Sequence, residues 1–370
     1  MYQFLNVLFV LFCCCFFIQQ LFYWFIFSRL AFKKFQLQKP IPPTQGASLI
    51  ICGKNEAQNF QAHLPAMLSQ THPNYEVIVV DDHSTDTTQD VLKGLQAKHP
   101  HLRIVHPDQV PDRPGKKAAL ATGVSLANHE NIVVTDADCR PASADWLSYM
   151  TQPLEQNNKL SLGIAPLDQE KGGLNKLIRF ETYMTALQYS SYAFAGIPYM
   201  GVGRNMAYKR AAFMEKKEVL LNDGLSSGDD DLLVNKIAEA KTTAVILHPD
   251  AFTYSPPMPT WKKWLRQKSR HYTAGGHYKP VHKYLLSLFN GTLVGWNLLL
   301  FPALFSSFTM IAIPLVFGHL FTKNLINLSA TKKLQHRDIA LEMPVLEFVW
   351  AFLMPIMGLN SLFMSKKKWS

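Results

Sequence analysis

The sequence predicts an α/β domain with a mostly parallel sheet, flanked by transmembrane helices. Three observations predict it. Short β-rich runs alternate with helical patterns from Ser48 to Val134. Acidic clusters follow two of those runs. Long, nearly uncharged apolar stretches occupy both ends of the chain, while the middle has the make-up of a soluble domain.

The alternation runs in order. Ser48–Cys52 reads as a strand, Ala57–Leu68 as a helix, and Glu76–Val80 as a strand ending in Asp81-Asp82. Thr87–Lys98 is helical, Leu102–Val105 a strand, Lys116–Ala127 a helix, and Ile132–Val134 a strand that feeds Thr135-Asp136-Ala137-Asp138. Strands alternating with helices imply a parallel sheet covered on both faces. Ligands of such sheets bind at the carboxyl ends of the strands, which is where the acidic clusters fall. Beyond Leu160 the rhythm changes. A helical stretch rich in Tyr and Phe covers Gly172 to Phe194, Gly201–Asn205 is a flexible strand or loop, and Gly228-Asp229-Asp230-Asp231 precedes a helix over Leu232–Ala240.

The ends read as membrane segments. Leu5–Phe27 is long enough to span a bilayer, which takes roughly 20 apolar residues. A cleaved signal peptide wants its basic residues first; here Arg29, Lys33, Lys34 and Lys39 follow the apolar run, which places the next domain in the cytoplasm. Residues 1–32 are therefore read as an anchor, joined by the stiff Lys39-Pro40-Ile41-Pro42-Pro43 linker to an α/β domain over 44–258. Residues 259–284 hold an amphipathic segment, with Trp261, Trp264 and Leu265 set against Lys262, Lys263, Arg266, Lys268 and Arg270, which suits a membrane interface. Leu286–Phe321 would run roughly 54 Å as one helix, against a hydrocarbon core of about 30 Å. A hairpin over 286–322, turning near Pro302–Ser307, resolves the excess. Residues 343–364 are a third C-terminal segment. A full span there would put Lys366-Lys367-Lys368 outside, so this segment is re-entrant or interfacial, or it breaks the positive-inside rule.

Composition narrows the partners. The net charge of the 370-residue chain is +10, which suits an anionic bilayer surface or a phosphate-bearing substrate. No basic run comes with interleaved exposed aromatics, so nucleic acid is not indicated. The five cysteines show no C-x-x-C spacing, so neither a zinc site nor a disulfide framework is indicated, and a reducing compartment fits. The consecutive Cys13, Cys14 and Cys15 read as lipid-facing. Tyr183, Tyr189 and Tyr192 read as packing or interface anchors, and the lone His83 and His248 as ordinary surface or core residues before metal ligands.

The carboxylates carry the chemistry. Two carboxylates one residue apart at a strand end, Asp136 and Asp138, can meet a divalent cation and a ribose together, because Mg²⁺ or Mn²⁺ prefers oxygen ligands shared with substrate phosphates. Alone the pair is equally a solvated turn. Asp81-Asp82 ends a strand of the same sheet and so points to the same edge; alone it is an Asx turn or a helix cap. Asp229-Asp230-Asp231 starts a helix, where acids also N-cap the first turn and compensate the dipole. One site that needs all the clusters explains them more simply than separate bland causes.

Here a resemblance becomes specific. Ser48-Leu49-Ile50-Ile51-Cys52-Gly53-Lys54-Asn55-Glu56 resembles the opening strand of the family 2 glycosyltransferases, and Tyr75–Asp86 their second strand and nucleotide-binding turn. Gly115-Lys116-Lys117-Ala118-Ala119-Leu120 is similar to their Gly-Lys-x-x-Ala-Leu helix start, and Thr135-Asp136-Ala137-Asp138 to their metal motif. Gly228-Asp229-Asp230-Asp231-Leu232 resembles the motif that supplies the base. Gln267-Lys268-Ser269-Arg270-His271 resembles Gln-x-x-Arg-Trp with His271 in place of Trp, and Gly201-Val202-Gly203-Arg204-Asn205-Met206 resembles the acceptor-side glycine-rich segment. The motifs span Ser48 to His271 in the family's order, and only together are they specific.

The resemblance implies a GT-A (Rossmann-like) nucleotide-sugar-binding domain in a membrane-bound, inverting glycosyltransferase. It implies that Asp82, or Asp81, holds the base or ribose, with Lys54 and Glu56 beside the nucleotide. Lys116 would approach the base or diphosphate, at a helix start that suits an anion. Asp138 would bind Mg²⁺ or Mn²⁺, and Asp136 would face the ribose or sugar. Asp230, with Asp229 beside it, would be the general base. Gln267, Arg270 and His271 would lie at the diphosphate or acceptor, and Gly201, Gly203 and Asn205 on the acceptor side. The acceptor would be a lipid, a lipid-linked molecule or a glycan hydroxyl, and the place the cytoplasmic face of a bacterial inner membrane, in cell-envelope synthesis. A processive polysaccharide synthase is a near alternative, disfavoured by the few spans and by His271. A catalytically inactive membrane protein with a nucleotide-binding domain is an alternative of another class, opposed by the intact acidic clusters. A nucleotidyltransferase would open with a glycine-rich phosphate loop, which Cys52-Gly53-Lys54-Asn55-Glu56 lacks.

Overall fold

A computed structural model describes residues 2–34, 38–106, 115–221, 228 and 230–363. The chain divides into two compact units. One gathers Met1–Lys34, Glu170–Ala195 and Thr260–Phe363; the other gathers Phe35–Gln169, Gly196–Pro259 and Met364–Ser370.

The second unit is built on a seven-stranded sheet. Its strands are β1 (Ala47–Gly53), β2 (Tyr75–Asp81), β3 (Leu102–Val105), β4 (Asn131–Asp136), β6 (Leu160–Leu162), β7 (Met206–Lys209) and β8 (Thr243–Val245), in the order β3-β2-β1-β4-β7-β6-β8. β5 (Arg140–Pro141) and β9 (Thr253–Tyr254) pair separately as a two-stranded ribbon. β1, β2 and β4 are near-continuous apolar runs with almost every residue buried, as strands covered on both faces require. Leu49, Ile51, Val77, Val79 and Val133 face one core, which Phe60, Leu64, Trp146 and Leu147 complete from the covering helices. The Lys116–Leu126 helix lies close on the sheet because of Gly123: a Cβ there would sit 2.6 Å from Ile50 Cγ2.

Register fixes the functional edge. β1 pairs in parallel with β2 and β4, setting Gly53 opposite Asp81 and Cys52 opposite Asp136. The strand order reverses direction between β1 and β4, the switch point at which such sheets open a crevice.

The parallel pattern expected from the sequence holds for β1 to β4 and fails beyond them. β7 runs antiparallel to β4, β6 runs antiparallel to β7, and β8 returns parallel to β6. β6 and β8 are three residues each, too short to show a periodicity. Gly201–Asn205 is loop, and the strand begins at Met206.

Among the described residues of the first unit, four helices are long and apolar enough to cross a membrane: Gln3–Ala31, Pro280–Leu304, Thr309–Lys333 and Arg337–Asn360. Pro280–Leu304 and Thr309–Lys333 follow one another with a break at 305–308. These helices overrun the 286–322 stretch at both ends, because polar residues there have internal partners. Lys333 Nζ donates to Ala31 O at 2.7 Å, capping the end of the first helix, and Lys323 pairs with Glu347 in near-complete burial. Gln19 Nε2 donates to Phe289 O and Thr292 Oγ1, both at 2.8 Å, a polar tie between apolar helices. Cys14 is exposed as expected, but Cys15 is a helix contact: a Cβ on Gly295 would meet its Sγ at 2.8 Å.

The Gly173–Phe194 helix belongs to this unit although it falls within 44–258 in sequence. Its Tyr183, Tyr189 and Tyr192 are buried, and Tyr183 donates to Asn327 Oδ1 at 2.9 Å. Arg179 grips Asp338 with both Nη atoms, at 2.5 and 2.7 Å, a bidentate pair that fixes this helix to the segment before the last span. Lys268 reaches Glu181 Oε2 at 2.5 Å. The amphipathic Trp261–Gly275 helix starts at Thr260, whose Oγ1 accepts from Lys263 N; Trp264 is fully buried while Trp261 stays exposed. Lys366-Lys367-Lys368 lies outside the described residues.

Candidate active site

The loops after β1 and β2 are stitched together. Asn55 N donates to Ser84 Oγ and Asn55 Oδ1 accepts from Thr85 N, both at 2.8 Å. Asn55 and His83 both hold left-handed φ, 59° and 61°. Asparagine and histidine tolerate that region better than most residues. The resulting crossing points the two aspartates inward. Asp81 and Asp82 are both fully buried. Asp81 Oδ1 accepts from Ser84 N at 3.0 Å, and Asp82 Oδ1 faces His83 Nδ1 at 3.1 Å. The second oxygen of each, Asp81 Oδ2 and Asp82 Oδ2, is buried with no hydrogen-bond partner among the described residues. A buried acceptor left unsatisfied costs free energy, and the donors of a base or ribose would satisfy these two. His83 takes its place as a partner of Asp82. His248 stacks on Tyr149, its Nε2 3.2 Å from the Tyr149 hydroxyl, which accounts for it without a metal.

At the end of β4, Lys116 Nζ reaches Asp136 Oδ1 at 2.7 Å from the first residue of its helix. Asp138 is half-buried and its carboxyl is pushed up by burial and by the charge of Asp136. Glu56 faces the same pair. Burial pushes its carboxyl up and the charges of Asp138 and Asp136 add to this, against a hydrogen bond from Asn59. Lys54 is half-buried in the turn between β1 and Glu56.

Asp230 closes the site from the other side. Gly203 N donates to Asp230 Oδ2 at 2.7 Å, and Asp231 N donates to Asp230 Oδ1 at 2.9 Å. Burial works against its charge, but Lys116 and these donors prevail and hold the carboxyl below its ordinary value. The N-capping expected of this cluster is real, and the glycine-rich loop adds the second contact. Ile50, Cys52, Lys116, Leu120, Thr135, Asp136, Gly203, Met206 and Asp230 line one cleft of about 290 Å³, part of it open to solvent. Asp229 lies outside the described residues.

Asn205 corrects an expectation. Its side chain is fully buried and its amide is committed to the fold: Oδ1 accepts from Trp146 Nε1 at 3.0 Å, and Nδ2 donates to Ile164 O and Ala251 O at 2.8 Å. It anchors the loop. Gly201 is likewise a packing glycine, since a Cβ would meet Leu162 Cδ2 at 2.7 Å. Gly203 is the member of that segment that touches the site. Gln267, Arg270 and His271 sit on the Trp261–Gly275 helix of the first unit. Sequence reasoning assigned no role to Arg204, whose charge acts on Asp138.

The residues present fit a divalent cation. Among the described residues no group of three or more His, Cys, Asp or Glu is gathered to hold a metal. A half-buried Asp138 with Asp136 beside it is the kind of partial carboxylate set that Mg²⁺ or Mn²⁺ completes with substrate phosphates and water.

Comparison with known proteins agrees with this geometry. Residues 48–215 match the model of Glycosyl transferase family 2, a stretch that ends before Asp230 and the Gln267 segment. The probable glycosyltransferase YdaM of Bacillus subtilis is 26% identical over 260 residues, covering 65% of this chain and 57% of that protein. The beta-monoglucosyldiacylglycerol synthase of Nostoc sp. is 30% identical over 137 residues, 36% of this chain and 28% of that protein. The chain thus spans little more than half the length of the first of these relatives and less of the second. Among solved structures, the mannosyltransferase PcManGT of Pyrobaculum calidifontis, in complex with GDP-Man and Mn²⁺, superposes with a TM-score of 0.59 at 20% identity, over 94% of this chain and 99% of that one. That likeness shows the fold. With the strand order, the acidic edge and the family match in agreement, residues 48–215 are similar to Glycosyl transferase family 2, and the fold is a GT-A α/β fold.

Proposed function

We propose that the chain is an inverting glycosyltransferase that moves a sugar from a nucleoside-diphosphate donor to a hydroxyl of a lipid or lipid-linked acceptor. The observation that carries this reading is the convergence of Lys116, Asp136 and Asp230 on one cleft at the carboxyl end of the sheet, with Asp230 oriented by Gly203 N–H at 2.7 Å. Asp81 and Asp82 receive the base or ribose, with Lys54 and Glu56 beside them. Asp136 faces the ribose or sugar, and Lys116 turns from it toward the diphosphate. Asp230, ionised because its carboxyl is held low, accepts the proton of the attacking hydroxyl. The bond from the anomeric carbon to the diphosphate oxygen breaks as the bond to the acceptor oxygen forms on the opposite face. One displacement inverts the configuration. Mg²⁺ or Mn²⁺ at Asp138 supplies neutralisation of the charge that develops on the leaving diphosphate.

The roles of Gln267, Arg270 and His271 at the diphosphate or acceptor stand on the motif alone. Four apolar helices and a glycolipid-synthase relative support a lipid acceptor. The cations at and after the end of the first span, Arg29, Lys33 and Lys34, support a catalytic unit on the cytoplasmic side of a bacterial inner membrane. The test incubates purified protein and membrane lipids with a panel of nucleotide sugars, with and without EDTA, and resolves the lipid products. One donor should give metal-dependent glycolipid carrying a single added sugar. A ladder of products would replace single transfer by a processive synthase.

A further inference from the structure

The loop that orients the proposed base is itself held by a relay of hydrogen bonds. Asn205 N donates to Val202 O at 3.0 Å, closing a turn with Gly203 and Arg204 at its centre. Two peptide planes matter in this turn. The first joins Val202 to Gly203: its oxygen accepts from Asn205 N, and its N–H donates to Asp230 Oδ2 at 2.7 Å. The second joins Arg204 to Asn205: its N–H is the donor to Val202 O, and its oxygen points the opposite way, as in any trans peptide.

That oxygen has two partners. Thr135 Oγ1 donates to Arg204 O at 2.8 Å, and Thr253 Oγ1 donates to it at 2.9 Å. A carbonyl oxygen has two lone pairs, so the two hydroxyls match its capacity. Both threonines are buried, Thr135 on β4 and Thr253 on β9. Thr253 is a firm post: it pairs with Pro141 across the two-stranded ribbon, and its own N–H donates to Ile164 O at 3.3 Å. A peptide unit is planar and stiff. Fixing the oxygen of the second plane therefore aims its N–H, which holds the oxygen of the first plane and so aims the N–H that meets Asp230. Gly203 lies between the planes with the widest backbone freedom of any residue, so these bonds set its direction.

We propose that Thr253, together with Thr135, is a positioning residue for the base: the two hydroxyls clamp the Arg204 carbonyl so that the Gly203 N–H keeps Asp230 aimed at the acceptor hydroxyl. The proposal rests on the reading of Asp230 as base. The clamp joins three parts of the chain that are far apart in sequence: the end of β4, the 202–205 turn and the ribbon strand β9. Each hydroxyl backs up the other, so losing one loosens the turn and slows turnover without emptying the donor site.

The experiment uses full-length protein in detergent with membrane lipids and Mn²⁺, and follows nucleoside diphosphate released from the donor that the nucleotide-sugar panel selects. Thr253→Val removes the hydroxyl and keeps the shape of the side chain. Its kcat should fall by roughly threefold to tenfold, the scale of one lost neutral hydrogen bond, while donor KM stays within about twofold. Thr253→Ser keeps the hydroxyl and should bring kcat back to within about twofold of wild type. In an Asp230→Asn background no base remains to be aimed, so adding Thr253→Val should leave the residual rate within about twofold. Thr135→Val strips the same carbonyl from the other side and repeats the test if Thr253→Val does not fold. An unchanged kcat in the folded valine variant, a donor KM that rises as kcat falls, a serine variant as slow as the valine one, or the same proportional loss in Asp230→Asn would overturn the proposal. Two valine variants that both fail to fold would overturn it as well, because the hydroxyls would then hold the fold and not the base. An Asp230→Asn variant as fast as wild type would defeat the base reading and this proposal with it, whereas a slow Asp230→Asn beside an unaffected Thr253→Val defeats this proposal alone.

Discussion

The amide of Gly203 donates to Asp230 Oδ2 at 2.7 Å, and a Cβ at Gly203 would stand 3.2 Å from that same oxygen. Backbone and proposed base are thus in contact at a place where a side chain would intrude. Gly203→Ala forces Asp230 to move by a few tenths of an ångström. Turnover should fall by roughly tenfold to a hundredfold, since misplacing a catalytic group by up to an ångström costs about that much, while donor KM changes little. An unchanged kcat would show that Asp230 does not need this orientation.

Lys116 sets the ionisation of Asp230. Burial disfavours the charged carboxylate, and Lys116 is the largest influence that lowers it. A depressed carboxyl contributes stability above the ordinary carboxylate range and loses it as pH falls through the folded value. The base is therefore ionised at neutral pH, and the acid limb of kcat should lie below the ordinary carboxylate range. Lys116→Met removes the opposing charge, so that limb should shift to higher pH. A kcat profile measured at saturating donor checks this, and an acid limb that stays in place would refute the coupling.

Asn205 is a structural post. Its buried amide makes three hydrogen bonds to Trp146, Ile164 and Ala251. Asn205→Ala should destabilise the protein by about 2–4 kcal/mol, the cost of stranding buried partners. Thermal unfolding in detergent should show the loss, while the fraction that stays folded keeps its donor KM. A raised donor or acceptor KM without loss of stability would return Asn205 to the substrate.

Lys323 and Glu347 form an ion pair with side chains 8% and 5% exposed, between helices long and apolar enough to span a membrane. Removing one partner of such a pair costs about 3–5 kcal/mol, while replacing both by apolar groups is often neutral. Lys323→Met should therefore destabilise strongly, and the Lys323→Met, Glu347→Leu double variant should recover most of the loss. A double variant as unstable as the single one would mean the charges serve another partner.

Much of the acidic edge was legible in the sequence. Asp81 and Asp136 each close a buried, β-branched run, and strands of one parallel sheet end on one edge, so their convergence follows from pattern alone. The cap at Asp230 was legible for the same kind of reason, since an acid before a helix binds the first amides. What escaped was direction. A glycine-rich segment announces a loop and says nothing of where its side chains point, so Asn205 was placed toward the acceptor although it faces the core. A lone arginine in a loop, such as its neighbour Arg204, has no periodicity to expose it. The Gly173–Phe194 helix shows the same limit: its composition predicted a helix, while only the pairing of Arg179 with Asp338 and Tyr183 with Asn327 reveals what it packs against. β6 and β8 are too short to carry a strand signal, so the antiparallel half of the sheet stayed hidden.

The central claim is metal-dependent sugar transfer from a nucleotide at the Asp136, Asp138 and Asp230 edge. The most direct measurement is the nucleoside diphosphate released by wild type, Asp138→Ala and Asp230→Ala with each of a panel of nucleotide sugars, in membrane lipids with Mn²⁺ or Mg²⁺. Wild type should release the diphosphate from one donor, EDTA should abolish it, and each variant should lose at least about a hundredfold in kcat. Turnover that both variants retain, or that EDTA leaves intact, would contradict the account.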